Sequence, residues 1–165
     1  MKKIIVSMLL LLPLGLAAQE MKIAIVDQQA IFSLLPELSE VESQIAAFAK
    51  QYQDQMKSME DEYNRKFSDL TAQGDTLTEN IRTLRLQEIQ GIEARLQNFV
   101  PMAKEEIDKK QAELLAPLYE KMQKAVDEVG EENGYTYIMS PQVMLFKGSS
   151  AIDATDKVKA KLGLK

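Results

Sequence analysis

The sequence predicts an α+β chain that is mostly α. A small β body is assembled from several subunits, and a long antiparallel coiled-coil hairpin projects from each subunit. Three observations predict this. Apolar residues recur at helix spacing from Leu38 to Val129, with one break near the middle. Short β-branched runs stand at the two ends of that region. Those ends are together too short to hold a core alone.

The chain opens MKKIIVSMLLLLPLGLAAQE. Lys2 and Lys3 precede a short apolar stretch, Ile4 to Leu12, and small residues follow at Gly15, Ala17 and Ala18. This predicts a secretory signal over residues 1–18, cut after Ala17 or Ala18. The apolar stretch is too short for a membrane span. Without Lys2 and Lys3, 18 basic side chains face 25 acidic ones, a net charge of −7. That balance argues against nucleic acid as a partner, because phosphate binding needs a basic face.

The chain has no cysteine and no histidine. Disulfides, Ser-His and Cys-His nucleophiles and histidine metal sites are therefore excluded. No phosphate-binding G-x-x-x-x-G-K-[ST] occurs. Neighbouring carboxylates such as Glu105 and Glu106 point about 100° apart on a helix, so they do not converge on one atom. Neither catalysis, a cofactor nor a metal is expected.

"KIAIVD" (22–27) predicts a strand, and "QQAIFSLL" (28–35) a short helical segment. Pro36 reads as the first residue of a descending helix. Its apolar stripe is Leu38, Val41, Ile45, Phe48, Tyr52, Met56, Met59, Tyr63, Phe67 and Leu70. Polar residues fill the other faces, as in a coiled-coil seam. At the break, Gly74 suits a helix C-terminus, and Thr76-Leu77-Thr78-Glu79 reads as a capping box. Residues 73–76 are thus the predicted tip, marked by Gly74, Thr76 and Glu79.

The returning stripe runs Leu77, Ile81, Leu84, Ile92, Leu96, Phe99, Ala103, Ile107, Leu114, Leu118, Met122, Ala125 and Val129. Glu88 and Lys110 fall in its two gaps. So short a turn makes the helices antiparallel. Folding at Gly74 pairs Phe67 with Ile81, Met59 with Ile89, Met56 with Ile92, Tyr52 with Leu96, Ile45 with Ala103, and Val41 with Ile107. Pro101 and Pro117 should kink this helix without ending it, and Gly91 weakens it.

Gly130 and Gly134 frame its end. "YTYIMS" (135–140) and "VMLFK" (143–147) predict two strands of a hairpin around Pro141-Gln142. A loop at Gly148–Ser150 leads to a last helix, with Asp153 or Thr155 as N-cap and Gly163 as its stop. The hairpin thus spans 36–133, and a discontinuous body spans 21–35 and 134–165. The body has 15 residues before the hairpin and 32 after it. Three strands leave open edges, so several copies are expected to join through the body. Its candidate residues are Ile23, Ile25, Tyr137, Met139, Val143 and Leu145.

"KIAIVD" with "QQAIF", the long hairpin, and the closing "YTYIMSPQVMLFKGSSAIDATDKVKAKL" together resemble the Skp (OmpH) family of periplasmic chaperones. The resemblance implies a homotrimer whose strands form a central β-barrel, with three helical tentacles around a cavity. It implies a periplasmic holdase that keeps unfolded outer-membrane proteins from aggregating, without ATP. Client-binding candidates are Met56 and Met59, which also fit the seam, and the off-seam residues Leu86, Val100, Met102, Leu115 and Tyr119. Leu115 and Tyr119 also fit packing near the body.

One feature departs from the family. Its arms are often basic, whereas residues 36–72 here carry 8 acidic against 4 basic side chains, and 73–133 carry 13 against 8. Contact with anionic membranes is expected to be weak at most. The alternative reading is a structural or adaptor coiled coil of the cell envelope.

Overall fold

The computed structural model describes residues 21–73 and 76–164. The predicted signal segment and Gly74 lie outside the described residues. The chain is mostly helical, with one long helical hairpin and one small sheet.

The sheet has three strands, β1 (Ile23–Ile25), β2 (Tyr137–Met139) and β3 (Ile152–Asp153), in the order β2-β1-β3. All pairing is parallel: Ile23 lies opposite Tyr137, Ile25 opposite Met139, and Ala24 opposite Ile152. Parallel neighbours need a long crossover, and the whole hairpin is the crossover from β1 to β2.

The expected hairpin of strands around Pro141-Gln142 does not form. Pro141 opens a single 3₁₀ turn, Pro141–Val143, in which the Met144 N–H donates to the Pro141 carbonyl at 3.2 Å. Proline has no N–H for a ladder, so strand pairing stops there. Val143 and Leu145 lie outside the sheet and are exposed. The third strand is Ile152–Asp153, which hydrophobic patterning passed over. Side-chain bonds hold it: the Asp27 N–H donates to Thr155 Oγ1, and the Thr155 N–H donates to Asp153 Oδ1, both at 3.0 Å.

Short helices close the body. Helix α1 (Gln28–Phe32) is capped by Asp27, whose carboxylate accepts from the Ala30 N–H at 3.0 Å. The long hairpin consists of α2 (Leu38–Gln73) and α3 (Glu79–Asn133), and the chain ends in α4 (Thr155–Lys161). The body core joins Ala24, Val26, Ile31 and Val158 to Met122, Val126 and Val129 of α3. The base of α3 therefore belongs to the body as well as to the hairpin.

Both predicted glycine stops hold. Gly134 (φ 63°) and Gly163 (φ 73°) take the left-handed conformation just past α3 and α4. In each case the next residue's N–H reaches back five residues, Tyr135 to Gly130 and Leu164 to Lys159. Gly130 stays inside α3. A Cβ there would sit 3.4 Å from Ile138 Cδ1, so the glycine lets β2 pack closely.

At 1.5 Å per residue, the 36 residues of α2 span about 54 Å and the 55 of α3 about 82 Å. Helix α3 runs unbroken through Pro101 and Pro117. Three details differ from expectation. Helix α2 starts at Leu38, whose N–H bonds to the Leu35 carbonyl, so Pro36 lies in the turn before it. The cap of α3 is Thr78, without a side-chain cap bond. The Thr76 N–H and hydroxyl both donate to the Gln73 carbonyl at 2.9 Å, so Thr76 closes α2 and no capping box forms.

The later start of α3 shifts the pairing register. Tyr52 meets the ring of Phe99, with centroids 5.9 Å apart, one turn from the Leu96 that a fold at Gly74 puts opposite it. Lys66 reaches Glu88 at 2.7 Å, where a fold at Gly74 puts it beside Arg82. The seam phase near the tip turns with it. Ile89 is buried in place of Glu88, while Ile81 and Leu84 are 44% and 59% exposed.

Candidate functional site

The arms carry the surface with the most functional content. Their seam is apolar in the middle, where Ile89, Ile92 and Ala103 are buried. Met56 and Met59 lie half-buried on the same seam. Leu86, Val100 and Met102 are exposed on α3, as expected of off-seam residues. Tyr119 is exposed but stacks on Phe32 of α1, with centroids 4.6 Å apart. Leu115 packs against the small cluster of Leu35, Val41 and Leu118 that joins arm to body. These two therefore sit at the root of the arm.

Three further apolar residues escaped sequence reasoning. Phe67, Ile81 and Leu84 belong to the predicted seam, yet all are exposed near the tip. Phe67 stacks on Tyr63 of its own helix at 6.0 Å instead of crossing to α3. Charged side chains make the distal crossings: Lys66 with Glu88, and Glu62 with Arg95 at 3.8 Å. The signal for this was the polar Glu88 in the apolar stripe, which marks a change of face. Thr76 and Glu79, the described tip candidates, are both exposed.

Midway along the arms, α2 and α3 leave a cleft of about 240 Å³ between Ala49 and Ala103. Tyr52, Met56, Phe99, Val100 and Ile107 line it. The small side chains of Ala49 on α2 and Ala103 on α3 both line this space and leave it unfilled.

The body presents a second apolar surface. Ile25 is buried, whereas Ile23, Tyr137 and Met139 are exposed. In the segment after the 3₁₀ turn, Val143, Leu145 and Phe146 are exposed, Phe146 at 85%. Lys147 ties this segment to the sheet through Asp153 at 2.9 Å. Together with the hydroxyl and N–H of Thr155, the Lys147 ammonium lowers the Asp153 carboxyl to about 2.

Most basic side chains on the arms are paired. Lys50 bonds Asp54 at 2.9 Å, Lys57 bonds Asp61 at 3.0 Å, and Lys104 bonds Asp108 at 2.5 Å. Lys121 bonds Glu37 across the base of the hairpin and holds its carboxyl below the usual range. Lys66 does the same to Glu88 near the tip. Glu132 and Glu128 raise Lys161 of α4 above the usual lysine range. Among the described residues no group of three or more acidic side chains is arranged to hold a metal. No described helix is long and apolar enough to cross a membrane.

The profile of the family described as "Outer membrane protein (OmpH-like)" matches residues 22–162. The chain belongs to the OmpH-like family. The match takes in both halves of the body and the whole hairpin. An OmpH-like fold is seen in the crystal structure of a candidate outer membrane chaperone from Caulobacter crescentus CB15. The TM-score is 0.71 at 13% identity, over 86% of this chain and 83% of that one. At that identity the likeness is one of fold. No curated protein sequence matches this OmpH-like chain.

Proposed function

We propose that this chain is an ATP-independent periplasmic holdase. It binds unfolded outer-membrane proteins between its arms and keeps them from aggregating before membrane insertion. The observation that carries this reading is the row of exposed apolar side chains along the arms: Phe67, Ile81, Leu84, Leu86, Val100 and Met102. A soluble coiled coil without a client has no use for so many of them off its seam. Family membership points the same way. The acidic net charge and the paired lysines assign client capture to apolar contact, with at most weak attraction to anionic membranes.

The working unit in this reading is a homotrimer. Strands β2 and β3 are the outer strands of the sheet, and exposed Tyr137, Leu145 and Phe146 lie beside them or in the segment between. Edges and apolar side chains of this kind are covered when copies join into a closed barrel. Three linked arms then multiply weak contacts into firm holding.

The test is dilution of a denatured outer-membrane β-barrel protein into buffer, with and without the chain, following light scattering. Suppression at one trimer per client is expected. Aggregation that proceeds unchanged at that ratio rules the holdase out. Native mass measurement on the same sample tests the trimer.

A further inference from the structure

The geometry points to the cleft between Ala49 and Ala103 as an anchor for one uncharged aromatic side chain of an extended client segment. This rests on the holdase reading and adds a defined subsite to it. Its size is the first argument. At about 240 Å³ the cleft exceeds the roughly 150 Å³ apolar cavity that accepts a benzene molecule, so it has room for one aromatic side chain.

Chemistry is the second argument. The rings of Tyr52 and Phe99 stand 38° apart with Met56 beside them. An entering ring meets aromatic rings and a thioether, and both favour aromatic over aliphatic guests. Charge is the third. The only charged side chains lining the cleft are Lys104 and Asp108, which bond each other at 2.5 Å. Both side chains are mostly exposed, so the cleft offers no buried counter-ion, and a charged guest would lose hydration there without recompense. An electroneutral site thus matches an uncharged guest. Unfolded outer-membrane strands supply such guests, since aromatic girdles flank their apolar bands.

The chain has no tryptophan, so fluorescence excited at the red edge reports a tryptophan-bearing probe alone. The probe is a short, blocked, uncharged peptide with one tryptophan, titrated with the chain from residue 19 onward. A blue shift on binding is expected. Ala103→Leu and, separately, Ala49→Leu fill the cleft and should each weaken binding about tenfold. Lys124→Gln, exposed on the body end of α3 and away from the cleft, should leave it unchanged. Circular dichroism identifies a variant that has lost its helices. Ala49 is less buried than Ala103, so its variant stands as the test if Ala103→Leu does not fold.

Absence of a blue shift, or equal binding by the filled variants, overturns the inference. So does equal binding of the matching leucine peptide, followed by displacement of a dye, which would mark a general apolar groove. A change in native mass on filling overturns it too, because another copy then occupies the cleft. A chain that suppresses aggregation without binding the peptide keeps the holdase reading and loses this subsite. A chain that binds the peptide in the cleft without suppressing aggregation keeps the subsite and loses the holdase reading.

Discussion

Single residues decide how the body is tied together. The N-cap of α4 is Ala154, without a side-chain cap bond, and neither Asp153 nor Thr155 caps it. Asp153 instead accepts from the Thr155 N–H and holds Lys147, and so links β3 to the segment carrying Leu145 and Phe146. Its folded-state value of about 2 lies below the usual carboxylate value. The ionised form is therefore favoured by folding, and its contribution is fully present above about pH 4. That contribution fades as pH falls from about 4 toward 2. Asp153→Asn should lower the denaturant midpoint at pH 7, and the gap from the parent chain should close across that acid window. Gly134 is a second such position. At φ 63° an alanine would cost about 1 kcal/mol, read as a lower midpoint with the m-value unchanged.

The hairpin is the element in which register matters most. Ile92 is 1% exposed on the seam, so Ile92→Ala should cost about 2–5 kcal/mol in a denaturant melt. Ile81→Ala and Leu84→Ala should change stability by less than about 1 kcal/mol, because their side chains already face solvent. The same two changes should reduce client protection in the scattering assay. If Ile81→Ala destabilises as much as Ile92→Ala, the shifted seam is wrong. The shift itself has a plain cause. Gln73 ends α2 and Thr78 caps α3, so the turn is longer than a fold at Gly74 allows. The seam phase therefore departs from the predicted stripe between Ile81 and Ile89, and rejoins it at Ile92 and Ala103, both buried.

At the scale of the whole molecule, arms and body can be separated only at the right place. Removal of residues 37–132 would take Met122, Val126 and Val129 out of the body core. Deleting 46–113 with a short linker spares them, together with Val41 and Leu118. The shortened chain should keep its oligomeric mass and lose client protection; retained protection would mean that the arms do not bind clients. Client affinity should change little between pH 6 and 8. The chain has no histidine, and its shifted carboxylates and lysine move further from that window.

The long-range plan of this protein was legible in its sequence. Ten apolar residues at helix spacing from Leu38 to Leu70, and the returning stripe to Val129, sufficed to predict one antiparallel hairpin. Gly134 and Gly163 marked where helices stop, because few other residues adopt the left-handed conformation at low cost. Off-seam Leu86, Val100 and Met102 were legible as exposed for the same periodic reason. These are local rules, and they act whatever the rest of the chain does. The structure alone decided which strands pair, since Ile152–Asp153 joins β1 through bonds to residues more than a hundred positions away. It also decided the helix register and the exposure of Phe67, Ile81 and Leu84, because a stripe specifies a face but not the partner opposite. The cleft between Ala49 and Ala103 belongs to this second class. Two alanines are unremarkable in a helical sequence, and become a site only when the register brings both to the same opening.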